Sequence, residues 1–121
     1  MAFRNLNLAA MAIIFFFFST FAQADGNRLL EQCLSAERFL DTKNVQSPFN
    51  VGVCMGMVQG VRNTMQLMGS SSSIVCFPEG GIDNGQAIRI VTSFLRDNPA
   101  KLHYPETLLA MTAFQEAYPC E

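Results

Sequence analysis

Apolar residues recur along this chain at three- and four-residue intervals, and no stretch shows a convincing two-residue alternation. In "NRLLEQCLSAERFL", Leu29, Cys33, Ala36 and Leu40 fall at i, i+4, i+7 and i+11. This predicts a helix with Asn27 or Asp25 as its cap, ended by the polar stretch "DTKNVQSP". A second helix is expected over "NVGVCMGMVQGVRNTMQLM", opened by Asn50 and closed by Gly69 as a left-handed cap. Its apolar face carries Cys54, Met57, Val58, Val61, Met65 and Met68. Its polar residues, among them Gln59 and Arg62, make it too polar to cross a bilayer.

After the run Ser70 to Ser73, which reads as a short linker, "CFPEGG" is rich in turn formers. A third helix follows, with Asp83 as cap and Gln86 three residues on in a capping-box-like arrangement. Ala87, Ile90, Val91, Phe94 and Leu95 supply the stripe that faces a core, and Asn98-Pro99 stops the helix. The fourth begins at Pro105, with Glu106 near the positive end of the helix dipole. It buries Leu109, Ala110, Ala113, Phe114 and Ala117, and Pro119 ends it. The fold class expected is all-α, a small bundle of about four main helices.

The first residues do not belong to that pattern. "MAFRNLNLAAMAIIFFFFSTFAQA" has a basic start at Arg4, an apolar centre from about Leu8 to Phe18 and a small-x-small end, Ala22-Gln23-Ala24. It reads as a secretory signal over residues 1–24, cut after Ala24. The competing reading is a retained anchor, but the apolar run falls short of the ~20 residues a spanning helix needs. No cysteine stands at the cut to take a lipid. The expected mature domain is 25–121, exported and free of the membrane once the signal is removed.

Composition then narrows the class of function. All ten acidic residues and seven of the eight basic ones lie after Ala24, leaving a net charge of −3. A nucleic-acid binder would present a basic face instead. Four cysteines, Cys33, Cys54, Cys76 and Cys120, remain in a short exported domain, which reads as two disulfides with three possible connectivities. A zinc site is disfavoured because no cysteine pair has close spacing and the only histidine is His103. No Cys-x-x-Cys redox motif is present. With consecutive helices antiparallel, Cys33 can face Cys54 across the first turn. Cys76, before the third helix, lies at the same end of the bundle as Cys120. The preferred pairs are therefore Cys33–Cys54 and Cys76–Cys120.

Little in the chain points to catalysis. His103 in "AKLHYPE" has no partner acid or nucleophile that the sequence can place beside it, and a capping or packing role fits it better. No glycine-rich phosphate loop, paired-carboxylate signature or calcium loop occurs, and neither metal nor cofactor is expected. Gly52, Gly56 and Gly60 recur every four residues on one helical face, each costing about 1 kcal/mol against alanine. They suit a close backbone approach, either packing inside the domain or a contact across a homodimer. The methionines of that helix, Met55, Met57, Met65 and Met68, read mostly as core, although Met-rich surfaces also bind partners.

Taken in order, "CMGMVQGV", "CFPEGG" and "IVTSFLRDNPAKLHYPETLLAMTAFQEAYPC" resemble the Rap/Tai family of periplasmic immunity proteins. The features that carry the likeness are Cys54-x-Gly56 with Gly60, Cys76-x-Pro78, Asn98-Pro99 and Pro119-Cys120. The resemblance implies a helical, disulfide-stapled, often dimeric protein that is not an enzyme. It implies binding of a peptidoglycan amidase delivered by type VI secretion, with a loop pushed into the amidase's active-site groove. Candidate plugs here are "MGSSSSIV" and "PEGGIDNG", and the second is favoured, with Glu79, Gly80, Gly81, Ile82, Asp83 and Asn84 as its residues. The rival function is a periplasmic helical binder or chaperone for apolar or unfolded clients. An exposed Met-rich groove favours the rival, and a closed core with a protruding acidic loop favours the inhibitor.

Overall fold

The computed structural model describes residues 24–69 and 74–121. The expected signal lies outside the described residues apart from Ala24, as do Ser70 to Ser73. Asp25 opens the first helix, α1 (Gly26–Thr42), by accepting hydrogen bonds from the backbone N–H groups of Asn27 and Arg28. Of the two caps the sequence allowed, Asp25 is the one used. Lys43 ends α1 in the left-handed region at φ +58°, its N–H donating to the Phe39 carbonyl.

The second helix, α2 (Pro48–Met68), begins earlier than Asn50. Ser47 is its cap, accepting from the Asn50 N–H at 3.4 Å, and Pro48 occupies the first turn, where a missing N–H costs nothing. Gly69 closes it at φ +55° and ψ −160°, a glycine conformation outside the left-handed helical region. Asp83 caps α3 (Asn84–Asp97) through the Gln86 N–H at 2.8 Å, as the capping-box spacing predicts. A single 3-10 turn, Pro99–Lys101, leads to α4 (Glu106–Ala117).

Each helix packs on the other three, α1 chiefly on α2 and α3, and α4 on α3 and α2. The core they enclose is built on Leu29, Val58, Ile88, Val91, Leu95, Leu109 and Phe114. Full burial of such a side chain contributes about 1.5–3 kcal/mol. Buried Thr92 is satisfied by the Ile88 carbonyl at 2.7 Å. Two expected core positions lie elsewhere: Met68 at the end of α2 and Ala117 at the end of α4 are exposed. Both stand in the last turn of a helix, at the edge of the bundle rather than between helices. On the α1–α3 seam, Arg89–Asp41 and Arg96–Glu37 pair at 2.6 Å. The first pair is exposed on both sides and worth only about 0–1 kcal/mol, whereas Glu37 of the second is largely covered.

Both disulfides join the expected partners, Cys33–Cys54 across α1 and α2 and Cys76–Cys120 between the α3 approach and the end of α4. The start of the domain is fastened to the start of α4. Asp25 bridges to Pro105, and the Gly26 N–H donates to the Tyr104 carbonyl at 3.1 Å. Gly26 is buried there, and a Cβ on it would come within 2.9 Å of the Leu102 backbone and 2.4 Å of Leu109 Cδ1. Backbone cannot yield as a side chain can, so Gly26→Ala is expected to cost about 1–3 kcal/mol, as overpacking does elsewhere. Thermal unfolding followed by circular dichroism checks this; an unchanged midpoint would show that the junction is loose.

Candidate functional site

The favoured loop leaves the C-terminal clasp and enters α3. Its first anchor is Cys76, whose N–H donates to the Tyr118 carbonyl at 3.0 Å beside the disulfide to Cys120. The Phe77 ring packs at 5.6 Å on Phe114 and 5.4 Å on Tyr118. The chain then reverses, the Gly81 N–H donating to the Pro78 carbonyl at 2.8 Å with Gly80 at φ +83°. A positive φ at that third turn position is the type II arrangement, which glycine adopts without strain. Gly81 follows at φ +76°, so close to the Gln66 side chain that a Cβ would meet its Nε2 at 2.8 Å.

A second anchor comes from α2. Arg62 donates through Nη1 to the Ile82 carbonyl at 2.7 Å, while its other nitrogens engage Asn63 Oδ1. Asp83 is the third, through its cap on α3. These anchors divide the candidate residues. Ile82 is buried and Asp83 is committed to its cap, whereas Asn84 and Gly81 are partly covered. Glu79 and Gly80 stand exposed at the tip. Behind them is a cleft of about 220 Å³, lined by Met65, Gln66, Phe77 and Gly80 among others.

The glycine stripe has a different surrounding from the loop. Nothing lies within 4 Å of a Cβ built on Gly52, Gly56 or Gly60, so no part of the described chain makes the close approach that packing inside the domain requires. Gly56 and Gly60 instead line an open groove of about 320 Å³ between α2 and α4, with Met57, Val61, Met68 and Met111. Its walls are apolar, and Met68 is 48 % exposed beside Leu67 at 88 %. The sequence marks this place through the glycines and the methionines of α2; Met111 comes from another helix and is assigned there only once the two are packed. Of the α2 methionines, Met65 is core and Met68 is not.

His103 is exposed, with its ring 4.2 Å from that of Tyr104. Among the described residues, no group of three His, Cys, Asp or Glu side chains is arranged to hold a metal ion, and no helix is long and apolar enough to cross a membrane. What the surface offers is shape: a braced turn and an apolar groove.

Fold and site thus define a small disulfide-stapled helical binding protein. The chain belongs to the family of Rap1a immunity proteins, whose model matches residues 25–120. Comparison with curated proteins and with solved structures gives no match. Membership in an immunity family brings a secreted effector as binding partner, and a pair of disulfides fits an oxidising compartment.

Proposed function

We propose that this protein is a periplasmic immunity protein that binds a peptidoglycan amidase delivered by type VI secretion and blocks its active-site groove with the Pro78–Gly81 turn. The bracing of that turn carries the reading. A disulfide, the Arg62–Ile82 hydrogen bond and the Asp83 cap hold both sides of it, leaving Glu79 and Gly80 at the tip. A loop fixed before docking loses little conformational entropy on binding, which favours tight complexes with slow dissociation. The family match begins at Asp25, the residue after the expected signal cleavage, in keeping with an exported domain. A homodimer closed over the Gly56–Gly60 face completes the proposal, since that face is apolar and no described residue covers it.

One observation favours the rival. The groove beside Met57, Val61, Met68 and Met111 is the exposed Met-rich surface that a binder of apolar or unfolded clients would use. A single experiment separates the two. The protein is sent to the periplasm of cells that express an amidase encoded beside its gene. Restored growth is expected, together with a sub-micromolar complex that Glu79→Lys weakens at least tenfold. Growth arrest without binding, while the mature protein suppresses aggregation of a denatured client, would replace the inhibitor reading with the chaperone one.

A further inference from the structure

The two disulfides occupy opposite surroundings. Cys33 and Cys54 are wholly buried in the core cluster that includes Leu29, Ala36 and Val58. Cys76 is exposed, and Cys120 is half-buried one residue before the carboxyl terminus. Thiol–disulfide exchange needs an attacking thiolate to reach a sulfur atom, so access governs which bond reacts. The second bond joins residues that solvent touches with the bundle closed, and the first joins two that it does not.

We propose that Cys76–Cys120 is a reducible latch on the 74–81 segment, while Cys33–Cys54 is a permanent staple. The reductant is a dithiol, small or carried by an exported oxidoreductase. One of its thiolates attacks Cys76 or Cys120, forming a mixed disulfide and releasing the other cysteine as a thiolate, which takes up a proton. The second thiol of the reagent then resolves the mixed disulfide. The protein gains two electrons and two protons, and the reagent leaves as its own disulfide.

The contacts around the latch limit what its opening can do. Past Tyr118, which caps α4, the tail Pro119–Glu121 has no regular structure, and the crosslink is a second covalent tie to the domain beside the main chain itself. Upstream of the turn, Cys76 shares that tie and the hydrogen bond to Tyr118. Downstream, Ile82 and Asp83 keep their bonds to Arg62 and Gln86, which do not involve sulfur. Reduction therefore loosens the 74–81 side and leaves α1, α2 and α3 in place. Under the immunity reading, on which this consequence rests, the reduced protein presents a less ordered turn and holds its effector less tightly.

The test needs no effector. Mature protein is treated with dithiothreitol in native buffer, quenched with iodoacetamide and mapped by mass spectrometry, with amide hydrogen exchange followed in parallel. Cys76 and Cys120 are expected to be labelled at least 100-fold faster than Cys33 and Cys54. Exchange across residues 74–81 should rise at least tenfold, with α1 to α3 unchanged. The variant Cys76→Ser/Cys120→Ser should show the same exchange pattern without reductant and keep its helical circular dichroism. Equal labelling of both pairs, selective labelling with no change at 74–81, or an unfolded double variant would each overturn the latch. Failure to find an amidase partner would leave these readouts untouched, so the two ideas fail separately.

Discussion

Replacing Cys33 and Cys54 together by alanine is expected to lower the melting temperature by roughly 10–20 °C. The crosslink spans 21 residues of sequence, and the chain-entropy relation assigns a loop of that length about 3 kcal/mol. In a domain this small, each kcal/mol moves the midpoint by roughly 4–8 °C. The loss is large against a total stability of about 5–15 kcal/mol. Both sulfurs are fully buried between α1 and α2, so the double alanine also leaves core volume unfilled. Serine at the same positions should be worse, since each buried hydroxyl left unpaired costs about 1–3 kcal/mol more. Thermal unfolding of the purified mature domain decides it. A midpoint within two or three degrees of the parent (roughly the shift of half a kcal/mol) would mean that the helices hold their register without the bond.

Gly56→Leu/Gly60→Leu should act in the opposite sense on the single chain. No heavy atom of the described residues lies within 4 Å of a Cβ at either position, so leucine meets open space rather than a described neighbour. Each change also removes a glycine from a helix interior, which favours the helix by about 1 kcal/mol. The monomer should therefore melt at a higher temperature than the parent. Association is where the cost falls. If a second copy closes over this face, its backbone comes near the bare Cα atoms, and two leucines hold it off. Sedimentation equilibrium is expected to show the dimer constant weakened at least 100-fold in the variant. A parent that is monomeric at micromolar concentration, or a variant that dimerises as before, would remove the glycine face from the interface. The two predictions probe separate surfaces: the first concerns the α1–α2 seam inside the bundle, the second the outward side of α2.

The distinction between those surfaces marks how far the sequence could be read. Helix periodicity, the Asp83 cap with Gln86, the Pro105 start and the Pro119 stop are local signals, set by which side chains recur every turn and which backbone groups need partners. They required no knowledge of the rest of the chain. Four helices lie over the stretches they mark, although Pro105 stands just before α4 rather than in its first turn. The start of α2 was misplaced because Asn50 and Ser47 are both acceptable caps. Pro48 settles the matter by favouring the first turn after Ser47. The disulfide pairs followed from one further step, the antiparallel order of neighbouring helices, because a crosslink needs Cα atoms as close as the 5.1 and 5.0 Å observed.

The candidate site was legible in outline only. "PEGG" announced a turn, and its glycines do take positive φ. Nothing local could say that Ile82 would be buried, that Arg62 would reach across 20 residues to its carbonyl, or that Glu79 and Gly80 would be left as the exposed tip. Gly26 gave no signal, since the atoms that forbid a side chain there belong to Leu102 and Leu109, far along the chain.

By itself, then, the sequence determined the helices, their order, the crosslinks and the class of protein. The helices depend on residue spacing along one chain direction, the crosslinks on the antiparallel order of neighbours as well, and the class on the family resemblance of the motifs. Tertiary structure alone decided which face of α2 stays open, which methionines are core and which line a groove, and which disulfide solvent can reach. Coverage of a helical face depends on what another segment lays over it, and spacing within the helix carries no record of that.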